Sequence, residues 1–227
     1  MSTAFPAENG KSNPPRSQKG ARTRARLLEA AKEVFEEDGF LEARISDIAE
    51  RAGLSHGSFY HYFDSKEEIF REVAESVEEQ LSAPLAGVIL DPGSHAPPRE
   101  RIREALRRHL DSYRREARII GVIEQMARYD KHVNEVRNAR HEQYQKQVAD
   151  SIRTLQERGL ADPGLDPTLA AAALGAMTNR FPELWLVQGA ITTTFDTALD
   201  QLTRVFVNAL GLTEERAARS RPRPPDA

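Results

Sequence analysis

The nine residues from Ser55 to Phe63 combine side chains that suit contact with a charged, hydrogen-bonding partner. They read Ser-His-Gly-Ser-Phe-Tyr-His-Tyr-Phe, so hydroxyl, imidazole and small side chains surround two phenylalanines. Phe59 and Phe63 are four residues apart, and in a helix they would share one face, which we expect to pack inward. The other faces would present groups that can bind phosphates and base edges in a DNA groove. These outward residues are Gly57, Ser58, Tyr60, His61 and Tyr62.

A regular apolar pattern predicts a helix before this segment. Its residues fall on one face with the helical spacing of three and four. They are Leu27, Leu28, Ala31, Val34 and Phe35. Gly39 should end the helix, because glycine accepts the left-handed conformation at the C′ position, and Phe40 should then fold back on Phe35.

A second helix and two capped helices follow at short intervals. The second helix is expected to end at Gly53, and Ser55 is a good N-cap for a third helix through Phe63. Ser65 and Glu68 have the spacing of a capping box, which predicts a fourth helix. A helix, a glycine turn and a short capped helix together predict a helix-turn-helix, whose second helix fits the major groove.

The stretch from Leu27 to Phe70 resembles the DNA-binding domain of TetR-type transcriptional regulators. The resemblance rests on about twenty positions at fixed spacing without a gap and covers under a quarter of the chain. They include Phe35, Gly39-Phe40, the run from Ser46 to Ser55, Gly57-Ser58-Phe59-Tyr60, Tyr62-Phe63 and Ser65-Lys66-Glu67.

The resemblance implies roles for individual residues. Ser58, Tyr60, His61 and Tyr62 stand where the family contacts DNA, and Lys66 stands where it grips a phosphate. Tyr60 could equally pack against the first helix. Arg44 departs from the usual Thr or Ser, which weakens the N-cap of the second helix and could add a phosphate contact. The full set of candidate DNA-contacting residues is Arg44, Ser46, His56, Gly57, Ser58, Tyr60, His61, Tyr62 and Lys66.

The chain is expected to be all-α, with an N-terminal three-helix helix-turn-helix domain and a C-terminal helical bundle, because no segment alternates with period two. We expect a disordered basic arm over 1–20, a DNA-binding domain over 21–81, a ligand-binding and dimerisation domain over 82–213 and a flexible tail over 214–227. Residues 1–26 carry six basic side chains against one acidic side chain. This charge suits phosphate contact, although a solvated tail has the same composition.

The last two predicted helices, about 167–188 and 193–210, carry long apolar stripes that suit a bundle seam. In the family, two such helices from each subunit form the dimer interface, and an intrachain core is the alternative. We therefore expect a homodimer that binds an inverted repeat on double-stranded DNA. The candidate dimerisation residues are Leu174, Phe195, Leu199, Leu202 and Phe206.

A sensor domain needs an apolar pocket with a few polar groups, and it would take an apolar or amphipathic effector. The candidate pocket residues are Tyr113, Ile123, Met126, Tyr129, Tyr144, Met177, Asn179, Phe181 and Trp185. Ordinary core packing is the alternative for each of them. Pro182 lies inside the same predicted helix and should leave the carbonyl of Thr178 without its helical partner, which predicts a kink.

Composition removes several other classes of protein. The chain has no cysteine, so disulfides and thiolate metal sites are excluded, and we expect a cytoplasmic protein without metal or cofactor. No apolar run is long enough for a membrane span. An enzyme remains an alternative, with His132 and Glu135 as a weak half of a metal site. A DNA-binding protein whose bundle binds protein partners, and an activator in place of a repressor, also remain open.

Overall fold

The computed structural model describes residues 17–86 and 96–212, and the side chains of 82–86 are left aside. Most of the predicted basic arm and all of the predicted tail lie outside these residues. Ser17 caps the first helix by accepting a hydrogen bond from the backbone N–H of Gly20 at 3.1 Å. The helix begins at Gln18, so the last residues of the predicted arm, 18–20, are helical.

The described residues form helices and connecting turns, without a strand, which confirms the all-α prediction. The described residues contain eight α-helices, and α7 continues into one turn of π-helix over Glu183–Val187 before α8 begins. The helices are α1 (Gln18–Glu42), α2 (Ile45–Arg51), α3 (His56–Phe59), α4 (Lys66–Ala86), α5 (Pro98–Met126), α6 (Lys131–Glu157), α7 (Pro167–Pro182) and α8 (Phe195–Ala209).

Packing divides the described residues into two compact units. The first unit contains 17–79 together with 116–138, and the second contains 80–115 together with 139–212. This division differs from the predicted boundary at residue 81, because 116–138 pack with the first unit. The physical reason is the length of α5 and α6, which at 1.5 Å per residue extend about 40 Å each, more than one small unit can enclose.

The core of the first unit is built on aromatic contacts. The Phe35 and Phe40 rings stack at 5.8 Å, and each lies 5.0 Å from the Phe70 ring. Gly39, between the two stacked rings, has a positive φ of 72°, which confirms the predicted glycine ending of the first helical segment. The backbone N–H of Ala43 then donates to the carbonyl of Gly39 at 3.3 Å, so α1 continues across a kink to Glu42.

The core of the second unit contains most of the predicted dimer residues, which corrects that prediction. Leu174, Leu199, Leu202 and Phe206 are at most 5% exposed and pack with residues of α5 and α6 in their own chain. Side chains enclosed in this way cannot meet a second subunit. The spacing of an apolar stripe indicates a buried face, but it does not identify what covers that face. Phe195 is the exception, since it is half-buried at the start of α8.

Candidate DNA-contacting surface and cavity

The turn between α2 and α3 is held by an arginine from α1. Gly53 has a φ of 66°, and the backbone N–H of Leu54 donates to the carbonyl of Ala49 at 2.8 Å. The Arg26 guanidinium donates to the carbonyl of Ala52, at the end of α2. A Cβ at Gly53 would lie 2.8 Å from that guanidinium, so glycine here provides both the positive φ and the space.

The helix α3 is short and is anchored by its two phenylalanines. Ser55 accepts from the backbone N–H of Ser58, which confirms the predicted N-cap. The helix ends at Phe59 instead of Phe63, and turns bonded to the Phe59 carbonyl continue to Phe63. Phe59 and Phe63 are 0% and 1% exposed, which confirms that both face inward. The remaining side chains of the segment are thereby turned outward.

Most of the predicted DNA-contacting residues are available to a partner. The exposed residues of the set are Arg44, Ser46, His56, Gly57, Tyr60 and His61, whereas Ser58, Tyr62 and Lys66 are half-buried. The Tyr60 ring is 48% exposed and packs edge-on against His56 at 5.4 Å and Phe59 at 5.5 Å. It therefore has one packed face and one open face. Helix α2 begins after Arg44 without a side-chain cap, as the departure from the family pattern predicts.

Lys66 makes contacts within the first unit that the resemblance does not imply. Its ammonium donates to the carbonyl oxygens of Phe40 at 2.7 Å, Ala43 at 2.8 Å and Leu41 at 3.1 Å. It also lies 4.7 Å above the Phe40 ring. An ammonium has three protons, and all three are used here, so none remains for a phosphate. Lys66 closes the end of α1 in this structure, and the phosphate contact that the resemblance implies stays a prediction.

Two arginines counted within the basic segment have internal partners that the sequence did not reveal. Arg24 pairs with Glu72 of α4 and lies over the Phe63 ring at 4.6 Å. Arg26 binds the carbonyl of Ala52, as described above. These side chains fix α1 against the helix-turn-helix, and their charge is not free for DNA.

The corner between α5 and α6 also belongs to the first unit. The Asp130 carboxylate accepts from the backbone N–H groups of His132 and Val133 through Oδ1, and from Arg71 Nε at 2.8 Å through Oδ2. Asp130 thus caps α6 and ties it to α4. His132 Nε2 lies 2.6 Å from Oε1 of Glu75. The described residues hold no cluster of three metal-ligating side chains, so the half metal site at His132 gains no support.

Three predicted pocket residues lie in this first unit. Ile123 and Met126 are buried there, and Tyr129 is 72% exposed. An exposed ring cannot enclose a ligand, so Tyr129 is removed from the pocket. Ile123 and Met126 are core residues of the first unit and do not line the cavity described next.

The second unit contains a small apolar cavity of about 30 Å³. Tyr144 is the predicted pocket residue that lines it, and Leu174 and Phe206, predicted for the dimer seam, line it as well. A volume of this size holds about two water molecules, far below the several hundred Å³ of an ordinary ligand pocket. A small-molecule effector would have to enlarge it.

The other predicted pocket residues surround the kinked end of α7. Tyr113 is buried, whereas Met177, Phe181 and Trp185 are half-buried. The rings of Phe181, Trp185 and Phe195 form a chain with centroid distances of 6.1 and 6.4 Å. These residues do not line the cavity. Phe181, Trp185 and Phe195 form a partly exposed aromatic surface on the second unit.

Two polar side chains of α7 are engaged locally. Asn179 donates to the carbonyl of Gly175 at 3.0 Å, and Arg180 pairs with Glu183 at 2.5 Å. Neither points to a ligand in this arrangement. Asn179 keeps its second amide N–H and its carbonyl oxygen for any further partner.

Sequence reasoning missed the polar group that the Pro182 kink engages. Pro182 has no N–H, and the chain passes from α-helix to π-helix at this point. The Thr178 carbonyl, left without its helical partner, instead lies 3.2 Å from Nε2 of His109 on α5. Burial, assisted by the charge of Arg140, lowers the pKa of His109 to about 4. The local sequence around either residue gives no signal for this contact, which joins residues 69 positions apart.

The first unit, with its glycine turn and its exposed hydroxyl and imidazole groups, defines a helix-turn-helix DNA-binding regulator. The model of the family "Bacterial regulatory proteins, tetR family" matches residues 27–73, and that of the "Tetracyclin repressor-like, C-terminal domain" matches residues 95–210, about half of the chain. The chain therefore belongs to the TetR family. Its members are transcriptional regulators, which excludes the enzyme alternative.

Individual relatives agree with this assignment. The chain is 27% identical over 178 residues to the HTH-type transcriptional regulator YdgC of Bacillus subtilis, a match that covers 75% of this chain and 85% of YdgC. It is 32% identical over 108 residues to the HTH-type transcriptional repressor NicS of Pseudomonas putida, covering 48% of this chain and 50% of NicS. A TetR-family regulator from Mesorhizobium loti has the same fold, with a TM-score of 0.72, 21% identity and coverage of 86% of this chain and 98% of that chain.

Proposed function

We propose that this protein is a homodimeric repressor that binds an inverted-repeat operator and is released by a small apolar or amphipathic effector. The observation that carries the proposal is the presentation of α3. Buried Phe59 and Phe63 hold the segment, while His56, Tyr60 and His61 remain exposed. Exposed donors on a rigidly anchored helix are what reading of a DNA groove requires. The site of action would be the bacterial cytoplasm, where the chromosome lies.

The dimer is proposed to use the outer faces of α7 and α8. Leu169 is 71% exposed, and Ala173 and Ala176 follow it on the same face of α7 at intervals of four and three residues. Val205 is 46% exposed on α8. Small and apolar side chains of this kind let two helix pairs approach closely across a two-fold axis. The buried stripe residues of α8 instead stabilise each subunit.

Effector binding is proposed to act by shifting a population of conformations. The cavity of about 30 Å³ is too small for an effector, so a ligand would bind a more open packing of the second unit. A ligand shifts an equilibrium by its difference in affinity for the two states. The opened state would hold two recognition segments at a spacing that no longer matches successive grooves.

Selection from a pool of random DNA duplexes tests this function. The full-length protein should enrich an inverted repeat whose half-sites lie about one helical turn apart. The variant His61→Ala, purified alongside, should enrich the same repeat weakly or not at all. Enrichment of a single asymmetric half-site would contradict the dimeric part of the proposal, and the absence of any enriched sequence would contradict the whole.

A second candidate function is supported by the same cavity. A core this nearly solid is expected if the bundle binds protein partners and no small ligand. The two functions differ in whether any small molecule changes affinity for the selected duplex.

A further inference from the structure

The second unit buries an imidazole nitrogen for which the described residues provide no hydrogen-bond partner. His109 is 1% exposed, and its Nδ1 is both inaccessible to solvent and without a partner among the described residues. Buried polar atoms are nearly always paired, so an exception calls for an explanation. Its other nitrogen, Nε2, is used by the Thr178 carbonyl that Pro182 leaves free.

The chemistry of Nδ1 follows from that contact. A carbonyl oxygen only accepts hydrogen bonds, so Nε2 must carry the proton and donate it. The pKa of His109, lowered to about 4 by burial and by Arg140, keeps the ring neutral at neutral pH. Nδ1 of a neutral ring protonated at Nε2 has a lone pair and no proton. It is therefore a buried acceptor, and only a donor can satisfy it.

The cavity lies next to this acceptor along two helices. Leu106, which lines the cavity, precedes His109 by three residues on α5 and so lies on the same face. Leu174, which also lines it, precedes Thr178 by four residues on α7, and the Thr178 hydroxyl donates to the Leu174 carbonyl at 2.6 Å. Burial raises the pKa of Tyr144, another lining residue, and its neighbours Thr178 and Arg140 oppose that rise. His109 and Thr178 thus lie one helical turn from residues that line the cavity, although neither lines it in this structure.

We propose that His109 and the adjoining cavity form the binding site for a neutral amphipathic molecule. A hydroxyl or amide N–H of the ligand donates to Nδ1 of His109, and its apolar part occupies and enlarges the cavity. A carboxylate has no proton to donate and presents lone pairs to the lone pair of Nδ1. An ammonium could donate, but it would be buried beside the positive charge of Arg140, which acts on His109. The proposal rests on the effector role proposed above and specifies its chemistry.

Four probes that share an eight-carbon chain and differ in their head groups test the head-group selectivity of the wild-type protein. They are octanol, octanamide, octanoate and octylammonium. Calorimetry and thermal unfolding at neutral pH measure binding without DNA. Octanol and octanamide should bind and raise the unfolding midpoint. Octanoate and octylammonium should bind at least about tenfold more weakly, because one ordinary hydrogen bond changes a Kd by about that factor. Equal or tighter binding of octanoate or octylammonium would overturn the proposal, and so would binding of none of the four.

Substitutions then identify the acceptor. His109→Leu should reduce the preference for octanol over octanoate towards unity, while His109→Gln, whose amide can donate to Thr178 and still accept, should keep part of it. Thr203→Val is the matched control, because Thr203 is a buried hydroxyl residue of the second unit that is bound to the Leu199 carbonyl and does not line the cavity. Loss of the preference in Thr203→Val, or its retention in His109→Leu, contradicts the assignment.

Nitrogen NMR of the imidazole gives a readout that a purely structural histidine would not change. The free protein should show a neutral ring protonated at Nε2, and octanol should shift the signal of Nδ1. An unchanged Nδ1 signal at saturating octanol overturns the proposal. Because these measurements use no DNA, selective binding without any effect on the selected duplex would refute the effector role and leave the site standing.

Discussion

Lys66 Nζ lies 2.7 Å from the carbonyl oxygen of Phe40, across 26 residues of chain. This contact joins the first turn of α4 to the end of α1, immediately before the helix-turn-helix. Two further carbonyls complete the coordination of the same ammonium. A cation at the carbonyl end of a helix is favourable both as a donor and towards the helix dipole. The position of α2 relative to α1 thus depends on a side chain that the family resemblance places on DNA.

Lys66→Met should therefore reduce stability and leave the electrostatics of DNA binding alone. We expect a loss of about 2–3 kcal/mol in the free energy of unfolding, because three carbonyls, two of them partly buried, lose a charged donor. Lys131→Met is the matched control, since Lys131 is 90% exposed and should change stability little. If Lys66 instead binds a phosphate, the slope of log affinity against log salt would become shallower by about 0.9 in Lys66→Met.

His61→Ala and Phe59→Ala should have opposite effects. His61 is exposed, so its substitution should weaken operator binding by about 1–3 kcal/mol if it touches a base, with an unchanged unfolding midpoint. Phe59 is fully buried, so Phe59→Ala should cost about 3–5 kcal/mol of stability. Gel-shift titrations and thermal unfolding of both variants measure the two effects. A His61→Ala protein that melts early but binds normally would mean that the exposed face is misassigned.

Charge on the outer faces of α7 and α8 should separate the subunits. Leu169→Glu and Val205→Glu alter exposed side chains, so each subunit should stay folded while sedimentation at micromolar concentration shows monomers. Leu41→Glu, at a position that is 80% exposed on the first unit, is the control and should remain dimeric.

Leu202→Glu should behave differently, because Leu202 is 4% exposed inside its own subunit. A buried carboxylate without a partner should unfold the second unit before it affects assembly. A folded monomer from Leu202→Glu, together with dimers from Leu169→Glu and Val205→Glu, would restore the seam that the sequence stripe predicts.

The stability of the second unit should depend on pH through His109. Its pKa is lowered from 6.5 to about 4 by burial, with a smaller effect of the Arg140 charge. Between these values the unfolded chain binds more protons than the folded chain, so stability falls as pH falls from about 6.5 to about 4. Urea unfolding should show that the free energy of unfolding of the wild type falls by about 3 kcal/mol more than that of His109→Gln over this pH interval. Parallel pH profiles for the two proteins would show that His109 is not buried as a neutral ring.

The sequence alone determined the helix-turn-helix and the features that delimit its helices. Gly39, Gly53 and the Ser55 cap act through backbone conformation or through bonds to residues within three or four positions, so their effects can be deduced locally. The same holds for the helical pairing of Phe59 with Phe63, which fixes the outward face of the segment. These local rules also made the family resemblance specific.

Tertiary structure decided which partner covers each surface and which polar groups meet. The α8 stripe with Leu199 and Leu202 has the spacing of a dimer seam, yet it packs on α5 and α6 of its own chain. Because hydrophobic burial is non-directional, the spacing alone could not choose between a dimer interface and an intrachain core. The contact of His109 with Thr178 depends on a carbonyl freed by Pro182 and a ring from another helix. Sequence predicted the free carbonyl, but only the packing of α5 against α7 supplied its donor, because a hydrogen bond requires atoms within about 3 Å.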